Sequence, residues 1–226
     1  MKKANLFLII FFSAFIINAQ SLKWKPTIGI NANSQKITGM QNSSKTKPGI
    51  DVGLLLQTKF KQNISLEFGL LYSGYSGTVE RPLVFIDNPF PGAIPPQLFE
   101  KNKIQFLKIP VIVTLKQDKK EPFSGGLGLV LKKNIGFKRE ANFVLTPNDI
   151  NADSYTLKTQ SGSQIGIGLQ AAIKKEFAIS KNNFEVGLFY DANISKWQYP
   201  INKIDAKNTP YTLKGSYFSV LFSIVL

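Results

Sequence analysis

Residues 103–117 read KIQFLKIPVIVTLKQ. In an extended chain successive side chains point to opposite faces. Leu107, Ile109, Val111, Val113 and Leu115 therefore share one face, and Lys108, Pro110, Ile112, Thr114 and Lys116 share the other. The stretch calls for surroundings that accept a wholly aliphatic face on one side and two lysines on the other. Proline has no N–H to give to a ladder, so a local bulge is expected at Pro110.

The same period of two runs along the chain, where a helix would show 3.6. Ile50, Val52, Leu54, Leu56 and Phe60 alternate with Asp51, Gly53, Gln57 and Lys59. After the turn Lys61-Gln62-Asn63 the series Ile64, Leu66, Phe68, Leu70 and Tyr72 alternates with Ser65, Glu67, Gly69 and Ser73, which predicts a tight hairpin. Further strands are predicted around Ile28 to Ala32, Phe123 to Leu131, Ile165 to Ile173, Phe184 to Ala192 and Phe218 to Leu226. With the opening stretch they make eight.

The connections decide what the eight strands build. Long ones, Ser34 to Lys47, Gly77 to Asn102, Lys133 to Gln160 and Ser195 to Tyr211, alternate with the short KQN, QDKKE and ISKNN. In an up-and-down antiparallel sheet all odd connections lie at one end and all even ones at the other. One plain end and one elaborated end is the asymmetry of outer-membrane barrels, with short periplasmic turns and long external loops. The expectation is thus an all-β fold, an eight-stranded antiparallel up-and-down transmembrane β-barrel, with Lys61, Lys119, Lys120 and Lys181 in the periplasmic turns. Closure satisfies the backbone groups that open sheet edges would leave unpaired in lipid.

The N-terminal MKKANLFLIIFFSAFIINAQ places Lys2 and Lys3 before an apolar run from Leu6 to Ile17 and then the small Ala19. This is the pattern of a cleaved secretory signal, expected over 1–19 with the barrel domain over 20–226; a retained helical anchor fits less well, because polar residues with no basic stop follow the run. Later apolar runs break well short of the roughly 20 residues that a spanning helix requires. Without cysteine there is neither a disulfide nor an N-terminal lipidation site. Removing Lys2 and Lys3 brings the +14 of the full chain to about +12, a balance that in an exported protein suits anionic headgroups or glycans. The lysines are scattered and not interleaved with aromatics, so nucleic acid is not an expected partner.

An eight-stranded barrel has an interior just wide enough for side chains to fill, so charges pointing inward must be paired. Glu67 lies at a depth that matches Lys59 and Lys116, and Glu185 at one that matches Lys174 across the sixth turn. A layer made of Lys59, Glu67, Lys116, Lys174 and Glu185 is expected to close the periplasmic end, with inward glycines relieving crowding.

The absence of His and Cys removes Ser-His hydrolysis, Cys nucleophiles and His-bearing zinc sites. Asp149 with Asp153 or Asp87 are acids in polar loops, more simply read as solvated than as a catalytic pair. The glycines between Gly125 and Gly128 are followed by no helix, so they do not form a phosphate loop. No enzyme activity and no cofactor are expected. The second long connection, GTVERPLVFIDNPFPGAIPPQLFEKNK, is unusual for a water-exposed loop, with five prolines among Phe85, Ile86, Phe90 and Phe99. It reads either as a preorganised contact surface for a protein partner or lipidic ligand, or as a cover folded over the barrel mouth.

F-L-K-I-P from Phe106 to Pro110, G-I-G-L-Q-A-A-I-K-K-E-F from Gly166 to Phe177 and F-E-V-G-L-F-Y from Phe184 to Tyr190 resemble the small outer-membrane β-barrel family of Bacteroidetes, described as PorT-like. Leu226 departs from the aromatic residue on which such proteins often close. The resemblance implies an integral outer-membrane protein in contact with outer-membrane lipid, and carries over no functional residues. A secreted lipocalin-like barrel, with the apolar face turned inward around a ligand, is the alternative that alternation alone leaves open. A β-sandwich adhesin fits less well, since its connections need not alternate in length.

Overall fold

The computed structural model describes residues 22–38, 43–82, 97–116, 122–144, 154–157, 164–195, 197–199 and 211–226. Among the described residues eleven strands follow one another: β1 Lys23–Thr38, β2 Ser43–Thr46, β3 Pro48–Lys61, β4 Ile64–Pro82, β5 Gln97–Lys116, β6 Phe123–Val144, β7 Ser154–Leu157, β8 Ile165–Ile179, β9 Asn182–Asn193, β10 Trp197–Tyr199 and β11 Tyr211–Val225. Eight of them, β1-β3-β4-β5-β6-β8-β9-β11, pair antiparallel in sequence order, and β1 returns to pair with β11. The sheet is therefore a closed eight-stranded barrel. At the seam, Trp24 and Leu226 exchange both backbone hydrogen bonds, at 3.1 and 2.9 Å. The short β2, β7 and β10 pair outside this circuit, with β4, β6 and β11.

The pleat sorts the side chains as the alternation predicts. Leu127 is 72 % exposed and Ile28 63 %, and Ile109, Val111, Val113 and Leu115 also stand on the outer face. Lys108, Ile112 and Thr114 are buried inside. An aliphatic exterior around a charged interior is the inverse of a lipocalin, so the alternative of an apolar ligand cavity does not hold. A lipid exterior makes such a belt stable, because in water it would form one continuous apolar patch.

Two expectations about the strands need correction. At Pro110 there is no bulge: Phe68↔Val111 and Leu71↔Lys108 keep one register across β4 and β5, and only the pairs between them drop out. Proline here removes ladder bonds without shifting the strand. The register shift lies instead between β5 and β6, at Gln105/Phe106, where Ile135 is the extra residue.

The strands also outrun the lipid-facing pattern. Gly77 to Pro82 pairs with Gln97 to Asn102, and the same end of β5 pairs with Arg139 to Val144, all stretches expected as loop. At about 3.3 Å per residue the six residues from Gly77 add roughly 20 Å of paired strand at the external end. Apolar alternation reports where a strand meets lipid; the ladder continues beyond it because backbone groups pair equally well outside the membrane. Phe99 is consequently a residue of β5, opposite Glu80. Phe85, Ile86 and Phe90 lie outside the described residues, as do Lys119, Lys120, Asp87, Asp149 and Asp153.

Two glycines show how closely the parts approach. A Cβ on Gly128 would fall 2.1 Å from the Val111 carbonyl oxygen, so at this point β5 and β6 tolerate no side chain. A Cβ on Gly187 would meet the Phe189 ring at 2.5 Å and Lys174 Cγ at 3.4 Å, so this glycine makes room inside the lumen.

Candidate functional site

The lumen is filled in layers. Nearest the periplasmic end, β1 contributes Lys25, β4 Glu67, β8 Lys174 and β9 Glu185. Lys25 Nζ donates to Glu67 and, at 2.5 Å, to Glu185, while Lys174 Nζ donates to the other Glu67 oxygen at 2.5 Å. All four side chains are at most 3 % exposed. Two cations and two anions in a chain of charge-assisted bonds leave the layer neutral, which is the condition for holding charge away from water.

Above it lies an apolar layer of Leu55, Leu71, Ile112, Ala172, Phe189 and Leu221. Lys174 links the two layers, its ammonium 5.3 Å from the centroid of the Phe189 ring. A second charged layer follows. Asp51 accepts from Asn31 at 3.1 Å and from Lys108 at 3.5 Å, and Asn31 also donates to Ser73. Lys132 donates to Asp191 at 2.6 Å and to Asn193 at 2.5 Å. An aromatic layer caps this one: the Tyr75 and Tyr217 hydroxyls hydrogen-bond at 2.9 Å, and Phe106 packs 5.3 Å from Tyr75. Lys132 lies 4.1 Å over the Tyr217 ring, adding a cation–π contact.

Of the residues proposed from sequence, Glu67, Lys174 and Glu185 meet in the first layer, with different partners from those expected. Glu67 pairs with Lys25 and Lys174, and Glu185 with Lys25. Lys116 sits at the rim, part-exposed, and pairs with Glu176 at 3.0 Å. Lys59 is exposed. Its ladder partner is the buried Ser65, so it keeps the lumen side but stands at the open mouth, and the register shifts just beyond it, between Lys59 and Lys61.

Sequence reasoning missed Lys25, although polar Lys23, Lys25 and Thr27 already alternate with Trp24, Pro26 and Ile28. The first predicted strand begins at Ile28, whereas β1 begins at Lys23. It missed Lys132 as a lumen residue for the converse reason: the fifth predicted strand stops at Leu131, one residue short. Among the described residues no group of three or more His, Cys, Asp or Glu is placed to hold a metal ion. Among the described residues, paired charges, aliphatic side chains and aromatic rings thus succeed one another across the lumen.

A family profile described as "Outer membrane protein beta-barrel domain" matches residues 18–197. No curated protein sequence matches the chain. Among solved structures, the outer membrane protein OprG of Pseudomonas aeruginosa is similar with a TM-score of 0.51 at 12 % identity, over 91 % of this chain and 95 % of that one. Ail, the attachment invasion locus protein of Yersinia pestis, is similar at 14 % identity over 90 % of this chain and 98 % of that one, with a TM-score of 0.39. Neisserial surface protein A is similar at 12 % identity over 91 % and 99 %, also at 0.39.

Proposed function

From the premise that the chain belongs to the outer membrane protein β-barrel domain family and is an integral barrel of the cell outer membrane, we propose that it has a binding or assembly role exercised through its external end, and forms no wide pore. The observation that carries this reading is the lumen itself. Two neutral charged layers, an apolar layer and an aromatic layer succeed one another across it. Passage of a hydrated solute would require breaking several buried ion pairs at once, and porin-type channels occur in far wider barrels.

The chain carries no catalytic role in this reading, since it has no His or Cys to serve as base or nucleophile. Residues 1–19 serve as an export signal, supported by Lys2 and Lys3 ahead of the apolar run, and 20–226 form the barrel domain. Within the family we place the chain with the PorT-like barrels of Bacteroidetes, on the strength of F-L-K-I-P at Phe106–Pro110 and the glycine-rich strand from Gly166. The partners proposed are outer-membrane lipid and, at the external connections, an anionic glycolipid headgroup or a protein. The apolar second connection, including Phe85, Ile86 and Phe90 and running into Phe99, is the proposed contact segment.

The purified protein in planar bilayers is expected to show no sustained conductance of porin size; stable large unitary steps would overturn the reading. Deletion of residues 83–96 is expected to abolish partner capture while leaving heat-modifiable gel mobility intact.

A further inference from the structure

Lys132 on β6 has neighbours that do more than neutralise it. Its ammonium donates to Asp191 at 2.6 Å and to the side-chain carbonyl of Asn193 at 2.5 Å. An ammonium accepts no hydrogen bond, so the amide presents Oδ1 to it, and Asn193 Nδ2 correspondingly donates to the Tyr217 hydroxyl at 3.2 Å. The amide carbon is one C=O bond, about 1.2 Å, beyond Oδ1, which puts it within roughly 3.7 Å of Lys132 Nζ. A nucleophile attacks from a separation of about 3–3.5 Å, so little movement is needed.

The strand between them makes room for the meeting. β8 runs between β6 and β9, and its residues paired with Lys132 and Asn193 are Gly166 and Gly168. A Cβ on Gly168 would lie 2.5 Å from Asp191 Oδ1. Lys132 and Asp191 are buried, with the ammonium 4.1 Å over the Tyr217 ring. In the periplasmic layer Lys25 and Lys174 meet carboxylates, whose charge repels an attacking electron pair. Asn193 instead offers a neutral acyl group whose nitrogen can leave.

We propose that Lys132 and Asn193 become joined by an isopeptide bond, with Asp191 as proton carrier, so that β6 and β9 are covalently tied across β8. The ion pair is the state before reaction. Lys132 first gives a proton to Asp191, which replaces two buried charges by two neutral groups. The freed amine adds to Asn193 Cγ and pushes the carbonyl electron pair onto Oδ1. As that pair returns, the Cγ–Nδ2 bond breaks. The two protons lost by Nζ pass by way of Asp191 to Nδ2, which departs as ammonium, and Asp191 ends as the carboxylate it began as. The step needs no oxidant or reductant. Asn193 ends β9 and is only half-buried, so the ammonium has a way out.

The test is mass spectrometry of the chain refolded from inclusion bodies into dodecyl maltoside. Folding brings the three groups together, so the linked form is expected to accumulate on standing, with the loss of about 17 Da as ammonia and a branched chymotryptic peptide joining Lys132 to Asn193. Chain extracted from outer membranes is expected to carry the bond already. Cyclisation of an N-terminal Gln20 loses the same mass, so the branched peptide decides. Lys132→Arg should yield none of it. Asp191→Asn keeps the shape and should slow its formation at least about a hundredfold, with heat-modifiable gel mobility verifying that each variant is folded. The proposal is overturned if folded wild-type chain from either source yields no branched peptide, or if the peptide forms as fast in Asp191→Asn as in wild type.

Discussion

The two charged layers of the lumen contain the same inventory, two lysines and two carboxylates each, and use it differently. In the periplasmic layer Lys25 bridges Glu67 and Glu185, and Lys174 takes the remaining Glu67 oxygen. In the outer layer the two pairs stand apart. Lys108 reaches Asp51 only at 3.5 Å, Lys132 divides its bonds between Asp191 and Asn193, and Asp191 Oδ2 and Asn31 Oδ1 are buried without a partner. Equal charge counts therefore do not mean equal dependence on each charge. A shared anion concentrates the consequence of its loss on one residue, while a looser layer spreads it over neutral neighbours that can rearrange.

The largest effect is expected at the bridging anion. Glu67→Gln leaves Lys174 without an anionic partner and Lys25 with one in place of two, and removing one side of a buried pair destabilises by about 3–5 kcal/mol. Urea unfolding in detergent should show a clearly lowered midpoint; an unchanged one would sink the claim that the paired Glu67 stabilises the barrel. Asp191→Asn is expected to be milder, about 1–2 kcal/mol, because Asn193 still accepts from Lys132. If Asp191→Asn proved the more damaging of the two, the contrast between the layers would be reversed.

Lys108→Gln should have a smaller effect, under about 1 kcal/mol, given its long contact to Asp51 and the Asn31 bond that Asp51 retains. The smallest effect is expected for Lys59→Gln, within about 0.5 kcal/mol, since Lys59 is exposed and outside both layers. A destabilisation as large as that of Glu67→Gln would restore Lys59 to the lumen pairing read from the sequence.

Lys59 and Lys25 also show what can be read from a sequence of this kind. The period of two assigns a face to nearly every residue of β5, including Lys108 and the aliphatic row from Leu107 to Leu115, because the pleat fixes that alternation without reference to any partner. It puts Lys59 on the lumen face as well, opposite Ser65, but carries no depth: Lys59 stands at the open mouth, short of the buried layer in which Lys25 and Lys174 hold Glu67. Lys25 is assigned correctly once the first strand is started at Lys23; what alternation cannot supply is its reach to Glu67, 42 residues away, and to Glu185, 160 residues away.

By itself, the sequence determined the strand period and the long and short connections, and hence an up-and-down barrel with one wholly apolar face; that this face is the outer one came from the structure. These follow from local geometry and from the requirement that every backbone polar group in a bilayer be paired. Only the tertiary structure decided which charge meets which, how far the strands continue past the lipid, and that the register shift falls opposite Ile135 while Pro110 keeps its place. Those depend on stagger between strands and on side chains reaching across a narrow lumen, distances that are set only when the last strand, β11, closes on the first.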